Sequence, residues 1–339
     1  MCTSPNSLTK LDLGNCPGLL NLGPLPASLT GLKLFHCPAL KTLPPLPTSL
    51  SELDIERCSH LTIPPLPRSL RHLRISDWRD FVTVPPLPNS LTDLAVDNVK
   101  SLPALPTGLT NLRISHWSGP GSLPQLPETL LSLEVTNCRA ITSLPKSLTS
   151  FSVEGCPDLS SLPQLPNSLT SLWIEDCPDL TTLPLLPNGL QKLEIHRCSS
   201  LRKLPLQPTS LIRLYLDDCP SLSSLPSLPA LLPLISIRHC PKITHLPTLP
   251  TSLDTVYVTD CPGLVSLPLL PESLKQLWLC RCPSLNKLPP LPSSLVYLRA
   301  LSCPGLTTLP PLPRSLTVDL RDCPGIKRPS PNTSGLTTR

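Results

Sequence analysis

A 21-residue unit repeats through almost all of this 339-residue chain, and no other feature constrains the fold as tightly. One copy runs from Cys177 to Arg197, and Cys198 begins the next. Each copy can be anchored on the leucine that follows its Ser, Gly or Thr. The anchors are Leu8, Leu29, Leu50, Leu70, Leu91, Leu109, Leu130, Leu148, Leu169, Leu190, Leu211, Leu232, Leu253, Leu274, Leu295 and Leu316. Twelve of the fifteen intervals are 21 residues, one is 20 and two are 18. A short, nearly constant period means a stacked array of like units.

Counted from the anchor as zero, apolar residues fall at positions 0, 3 and 5, as in Leu190, Leu193 and Ile195. The spacing of 3 and 5 puts both side chains on one face of a strand. A cysteine follows at 8, then leucines at 11, 14 and 17, with prolines at 15 and 18. Two prolines per copy exclude a helix there. Period three with proline predicts an extended polyproline II return, with 3-10 turns at most. Each unit is therefore a short strand, a turn and an extended return, with one apolar face that it cannot bury alone. Stacking joins the strands into a parallel sheet and the leucines into one core. The fold predicted is a β-rich solenoid of about 16 repeats over residues 1–326, a horseshoe with the sheet on its concave side.

Composition agrees with a single elongated domain. The 49 prolines and 13 glycines make up about 18 % of the chain, below the range of disordered sequences, and the prolines are periodic. A net charge of +5 is too weak to imply nucleic acid. No apolar run is long enough for a membrane span. The first residues, Met1 to Lys10, contain no apolar signal core, so export by a leader peptide is not expected.

Fifteen cysteines suggest a disulfide framework until their spacing is considered. Twelve stand at position 8, from Cys16 to Cys303, and Cys323 is the same residue shifted by one deletion. One thiol per turn fits a small buried side chain that hydrogen-bonds weakly to the turn backbone. Reduced thiols point to a cytoplasmic working place; the alternative is some disulfide pairing between neighbouring rungs.

The motif L-x-x-L-x-[I/L/V]-x-x-C resembles the leucine-rich repeat strand, with cysteine where many members carry asparagine. The return, seen in Leu162-Pro163-Gln164-Leu165-Pro166-Asn167-Ser168-Leu169, resembles the bacterial L-P-x-L-P subclass of type III secretion effectors of the IpaH and YopM kind. The resemblance covers residues 1–326. It implies a repeat scaffold delivered into the cytoplasm of a host cell. The Cys-Pro-x-Leu turn adds one residue to that subclass and also resembles plant disease-resistance receptors.

The array has local irregularities. Charge is dense from Arg57 to Asp80, with Glu52, Asp54 and Glu56 just before it, as on a solvated strand surface. Between Leu70 and Leu130 the ladder cysteine gives way to Trp78, Val99 and Trp117, which repack the turn and leave room for a functional patch. The copies from Leu91 and Leu130 are each three residues short, so the core keeps its phase. No polar cap precedes the first strand, and an open end allows end-to-end or edge self-association. Residues 327–339 are polar and read as a disordered tail; Asn332-Thr333-Ser334 is a chance match to a glycosylation acceptor.

Positions 2, 4 and 6 point away from the core, with 1 and 7 beside them. All of the 23 acidic residues except Asp80, Glu128, Asp158, Asp179 and Glu272 lie at these places. A constant frame with a varied charged strip is what an interaction surface needs. Position 4, the centre of the strip, carries Trp173, Glu194, Tyr215, Tyr257, Trp278 and Arg299 in the second half. Asp217 and Arg238 stand beside them, with Asp176, Asp218, Asp260 and Arg281 at the flank. Exposed aromatics beside arginine and acids are hot-spot chemistry, so these residues are the candidate protein-binding site. The alternative is that the rings stack on one another and simply cover the sheet.

Catalysis finds no support in the sequence. In the IpaH group, ligase activity resides in a separate helical domain with a Cys-x-Asp motif. Cys156-Pro157-Asp158 and Cys177-Pro178-Asp179 match those letters but occupy ordinary ladder and turn positions. Cys280-Arg281-Cys282 lacks the further ligands of a zinc site, and the histidines form no recognisable triad. No cofactor or metal is expected. The function expected is non-enzymatic protein binding on the concave face. Two alternatives are the recognition region of a plant-type immune receptor, and the substrate-binding half of a ubiquitin ligase.

Overall fold

The computed structural model describes residues 7–58, 60–77, 84–99, 101–117, 119, 123–139 and 141–326. Trp78, Asp80 and the tail at 327–339 lie outside the described residues. By contacts the chain divides into two compact units, Met1–Cys156 and Pro157–Arg339.

The first unit holds eight strands of five residues. They are β1 (Lys10–Gly14), β2 (Gly31–Phe35), β3 (Glu52–Glu56), β4 (His72–Ser76), β5 (Asp93–Asp97), β6 (Asn111–Ser115), β7 (Ser132–Thr136) and β8 (Ser150–Glu154). The second holds β9 (Ser171–Glu175), β10 (Lys192–His196), β11 (Arg213–Asp217), β12 (Leu234–Arg238), β13 (Thr255–Thr259), β14 (Gln276–Cys280), β15 (Tyr297–Leu301) and β16 (Thr317–Arg321). Within each unit the strands pair in parallel and in sequence order. Nearly every strand covers positions 2 to 6 of its repeat, and like positions pair, as in Glu194↔Tyr215 and Ile195↔Leu216. The pattern is a parallel β-solenoid.

Alternation sets the core. Leu193 and Ile195, and Leu214 and Leu216, are fully buried, and so are the anchors Leu190 and Leu211. Each such side chain stabilises by roughly 1.5–3 kcal/mol through lost apolar surface. The return halves contain no helix among the described residues. They carry two tight turns per copy, shown by Leu180 N–H donating to Cys177 O (3.2 Å) and Leu190 N–H donating to Pro187 O (3.0 Å). Where proline leaves few donors, sparse backbone bridges join neighbouring returns, as along His245, Ser266, Lys287 and Thr308.

The serine before the anchor has a structural task. Ser210 Oγ donates to Leu190 O at 2.6 Å, Ser273 Oγ to Leu253 O at 2.6 Å and Ser49 Oγ to Leu29 O at 2.6 Å. Each hydroxyl thus ties its turn to the anchor carbonyl of the turn before.

All fourteen described cysteines are free thiols, and all but Cys16, Cys280 and Cys323 are buried. The ladder thiol donates to the carbonyl at position 6 of its own strand, as from Cys177 to Glu175 O and from Cys198 to His196 O, both 3.4 Å. Burial pushes Cys58 and Cys261 up to about 11 and Cys138 up to about 12. Thiol–thiol hydrogen bonds to Cys219 and Cys303, with burial, raise Cys240 and Cys282. Val99 and Trp117 take the thiol's place in the short-turn region and are buried there. Trp117 occupies this site with its Nε1 buried and unbonded among the described residues.

Position 7 follows a rule that the repeat pattern does not announce. Its backbone is left-handed at every turn, from Asn15 (φ 53°) through Asp176 (51°), Arg197 (50°) and Asp218 (52°) to Ser302 (52°), with Gly155 at 58°. Asn, Asp and Gly tolerate this region best, and they supply most of these residues.

Two outcomes are expected. Ser302→Val lowers stability by about 1–2 kcal/mol because a β-branched residue resists positive φ, whereas Ser302→Gly leaves it within about 0.5 kcal/mol; thermal melts followed by circular dichroism measure both. Under native conditions a thiol reagent labels Cys16, Cys280 and Cys323 quickly, and the buried ladder thiols only as the chain unfolds. Peptide mapping after brief labelling checks this, and equal labelling of all rungs refutes it.

Candidate functional site

Strand register decides which outward side chains meet, and in the second unit it gathers the predicted residues into two groups. In the first, Trp173 on β9 and Tyr215 on β11 stand either side of Glu194 on β10. His196, two residues along β10, slides between the rings. It stacks on Trp173 at 4.6 Å and faces Tyr215 at 6.5 Å. The guanidinium of Arg238 lies 5.8 Å from the centre of the Tyr215 ring. Trp173 Nε1 donates to Glu175 Oε2 at 2.9 Å. Glu194 is drawn to Arg213, 3.4 Å away, and its side chain is only 16 % exposed.

In the second group, Tyr257 on β13 pairs directly with Trp278 on β14, and Tyr297 on β15 lies diagonal to Trp278. The ring centres are 5.4 and 4.9 Å apart. Arg299 caps Trp278 at 5.1 Å, and its Nε lies 3.3 Å from Asp319. Ring pairs at these distances contribute about 0.5–1.5 kcal/mol each beyond burial. Between the groups, Ser236 occupies position 4 and is fully buried. It pairs with Tyr215 on one side and Tyr257 on the other, so it forms a low saddle between two raised clusters.

Charged residues build a chain beside the rings. Asp217 accepts from His239 Nδ1 at 2.7 Å, and His239 Nε2 reaches Asp260 at 3.1 Å. Arg281 binds Asp260 through both its Nε and its Nη2. That pair holds the Asp260 carboxyl below the usual range and raises Arg281. Arg197 does the same for Asp176, donating to it and to Glu175. Thus the flank residues Asp176, Asp260 and Arg281 are already paired with one another or with neighbours, and Asp176, Asp218, Asp260 and Arg281 hold the left-handed turn.

Sequence reasoning missed His196 and Tyr297 as members of the clusters. Their signal lies in register: position 6 or 2 of one strand sits diagonal to position 4 of the next, within reach of an aromatic ring. The rings do stack on one another, as a covering role would require. They nevertheless remain partly exposed.

No family model and no curated protein matches this chain. Among solved structures it is similar to YopM, a leucine-rich effector protein from Yersinia pestis. The two share 28 % identity at a TM-score of 0.65, over 92 % of this chain and 88 % of that one. It is also similar in fold to CroV588, a circular leucine-rich repeat protein, at 23 % identity and TM-score 0.54, over 98 % of this chain and 68 % of that one. The fold is a leucine-rich repeat solenoid. None of the described residues forms a helix long and apolar enough to cross a membrane, and no group of three metal-ligating side chains occurs among them.

The Asp260–Arg281 pair makes a pH-dependent contribution whose sign is fixed. The folded carboxyl titrates below its unfolded value, so the stabilisation is complete above about pH 4 and is lost as pH falls through the depressed value. Arg281→Gln therefore lowers the thermal midpoint at neutral pH, and the difference from the parent closes in acid. A deficit that persists unchanged to low pH contradicts this account.

Proposed function

We propose that this protein is a non-enzymatic scaffold that grips a protein partner on the outward sheet face of its second unit. The observation that carries this reading is the pair of ring clusters, Trp173–His196–Tyr215 and Tyr257–Trp278–Tyr297, each with an arginine against a ring. Rings fixed by stacking lose little freedom when a partner arrives, and Trp, Tyr and Arg are the residues that dominate interface energetics. Asp217 and Glu194 supply acids beside them. The similarity to YopM supports a role as an effector that acts on host proteins, and the free thiols support work in a reducing compartment.

Replacing Trp173, Tyr215, Tyr257 and Trp278 together by Ala is expected to weaken capture of partners from eukaryotic cell lysate by at least about tenfold. Circular dichroism establishes that the variant keeps its sheet. Recovery of the same proteins at the same strength assigns the rings to covering the sheet alone.

A further inference from the structure

The outward face of the first unit carries a feature that the aromatic face does not explain. Its position-4 row, read across paired strands, is Lys33, Asp54, Arg74, Ala95, Arg113, Glu134. The signs alternate, as opposite charges on neighbouring strands favour one another. At Ala95 the alternation fails. A methyl group stands where an acid would continue the series, and an arginine faces it from each side.

Three observations bear on this gap. It has volume: a cavity of about 420 Å³ lies over Ala95 and its neighbours and opens along the sheet face. It has two cations at a useful span. Arg74 and Arg113 sit two strands apart, about 9.6 Å at the backbone, and their side chains are 54 % and 56 % exposed. It also has an underused donor. Arg113 binds Glu134, but Arg74 comes no closer than 4.0 Å to Asp54, beyond hydrogen-bond reach.

The acids on the same strand cannot fill the gap. Asp93 is taken up by His72 Nδ1 at 3.0 Å, by Asn111 Nδ2 at 2.6 Å and by Thr92 Oγ1 at 2.6 Å. Asp97 accepts from His116 Nδ1 at 2.8 Å and from the Asp77 N–H at 3.1 Å.

We propose that the gap above Ala95 receives a carboxylate from a protein partner, an Asp or Glu side chain that enters between Arg74 and Arg113. The rim admits no more than a single negative charge, because Glu52, Asp54, Asp93 and Glu134 line the cavity along with Lys33, Arg74 and Arg113. Asp93 and Asp97 stand about 6.6 Å to either side along β5, and a phosphate dianion there meets more repulsion than a carboxylate does. The open face suits a side chain whose own protein closes the site, since none of the described residues covers a free small molecule there.

The test uses the full chain and two capped tripeptides, acetyl-Gly-Glu-Gly-amide and its Gln counterpart. Arginine Nε signals are followed by ¹H–¹⁵N NMR at low salt. The Glu peptide is expected to shift the Arg74 and Arg113 signals saturably, with an apparent Kd at least about tenfold below that of the Gln peptide, because one charge-assisted pair separates them. Arg213 and Arg281 should stay still. Arg74→Gln should remove the difference. Ala95→Glu should block the peptide and should melt higher than Ala95→Gln at about 0.01 M salt, with the gap closing at about 1 M. Equal response to both peptides, equal shifts at every arginine, no saturable shift, or an Ala95→Glu variant no more stable than Ala95→Gln would each overturn the proposal.

Discussion

A turn of this coil cannot satisfy its own backbone. Each strand finds its hydrogen-bond partners only in the turns before and after it, and the position-7 N–H donates to the position-6 carbonyl of the next strand, as from Arg197 to Asp217 at 2.9 Å. Everything else depends on that dependence. Like must pair with like, because any slip of one residue turns the leucines outward. The position-7 residue must bend left so that the chain leaves the sheet at the same place every time. The serine before the anchor then fastens its bend to an anchor carbonyl that the ladder leaves open, and the cysteine after the strand adds a second donor to the position-6 carbonyl that already accepts a ladder N–H.

Strict pairing also explains why variation is confined. Positions 3 and 5 face a core with no spare room, and 8 faces the thiol ladder. Positions 2, 4 and 6 face away from the core and meet one another, the residues at 1 and 7, and solvent, as Asp217 meets His239. Trp173, Arg74 and Ser236 can therefore occupy the same place in the frame without altering it. The result is a row of fixed sites, each about one strand spacing from the next, on which ring clusters, ion pairs and a gap are arranged independently.

The frame was legible in the sequence because it depends on spacing alone. Leu193, Ile195 and Cys198 announce a strand, its inner face and its closing turn without reference to any other copy. What escaped reading depends on neighbours. His196 joins Trp173, and Tyr297 joins Trp278, only across the diagonal of two paired strands. The Ala95 site was harder still, since its signal is an absent side chain between two present ones. The acids at position 7 carry a second meaning that spacing alone does not show: Asp176, Asp218 and Asp260, read as flank binding residues, also stand where the backbone is left-handed.

The two shortened turns show how separable the front of the coil is from its back. Leu91 to Leu109 and Leu130 to Leu148 each lack three residues, yet Asp93 still pairs with Asn111 and Ser132 with Ser150. One three-residue step has gone from each return, the Cys-Pro-x turn in the copy from Leu91 and a Leu-Pro unit in the copy from Leu130, and the strands beside it have kept their register. Genes encoding such a coil can therefore gain or lose material behind the sheet in triplets of codons, and exchange whole rungs, while the order of side chains displayed in front is edited one rung at a time.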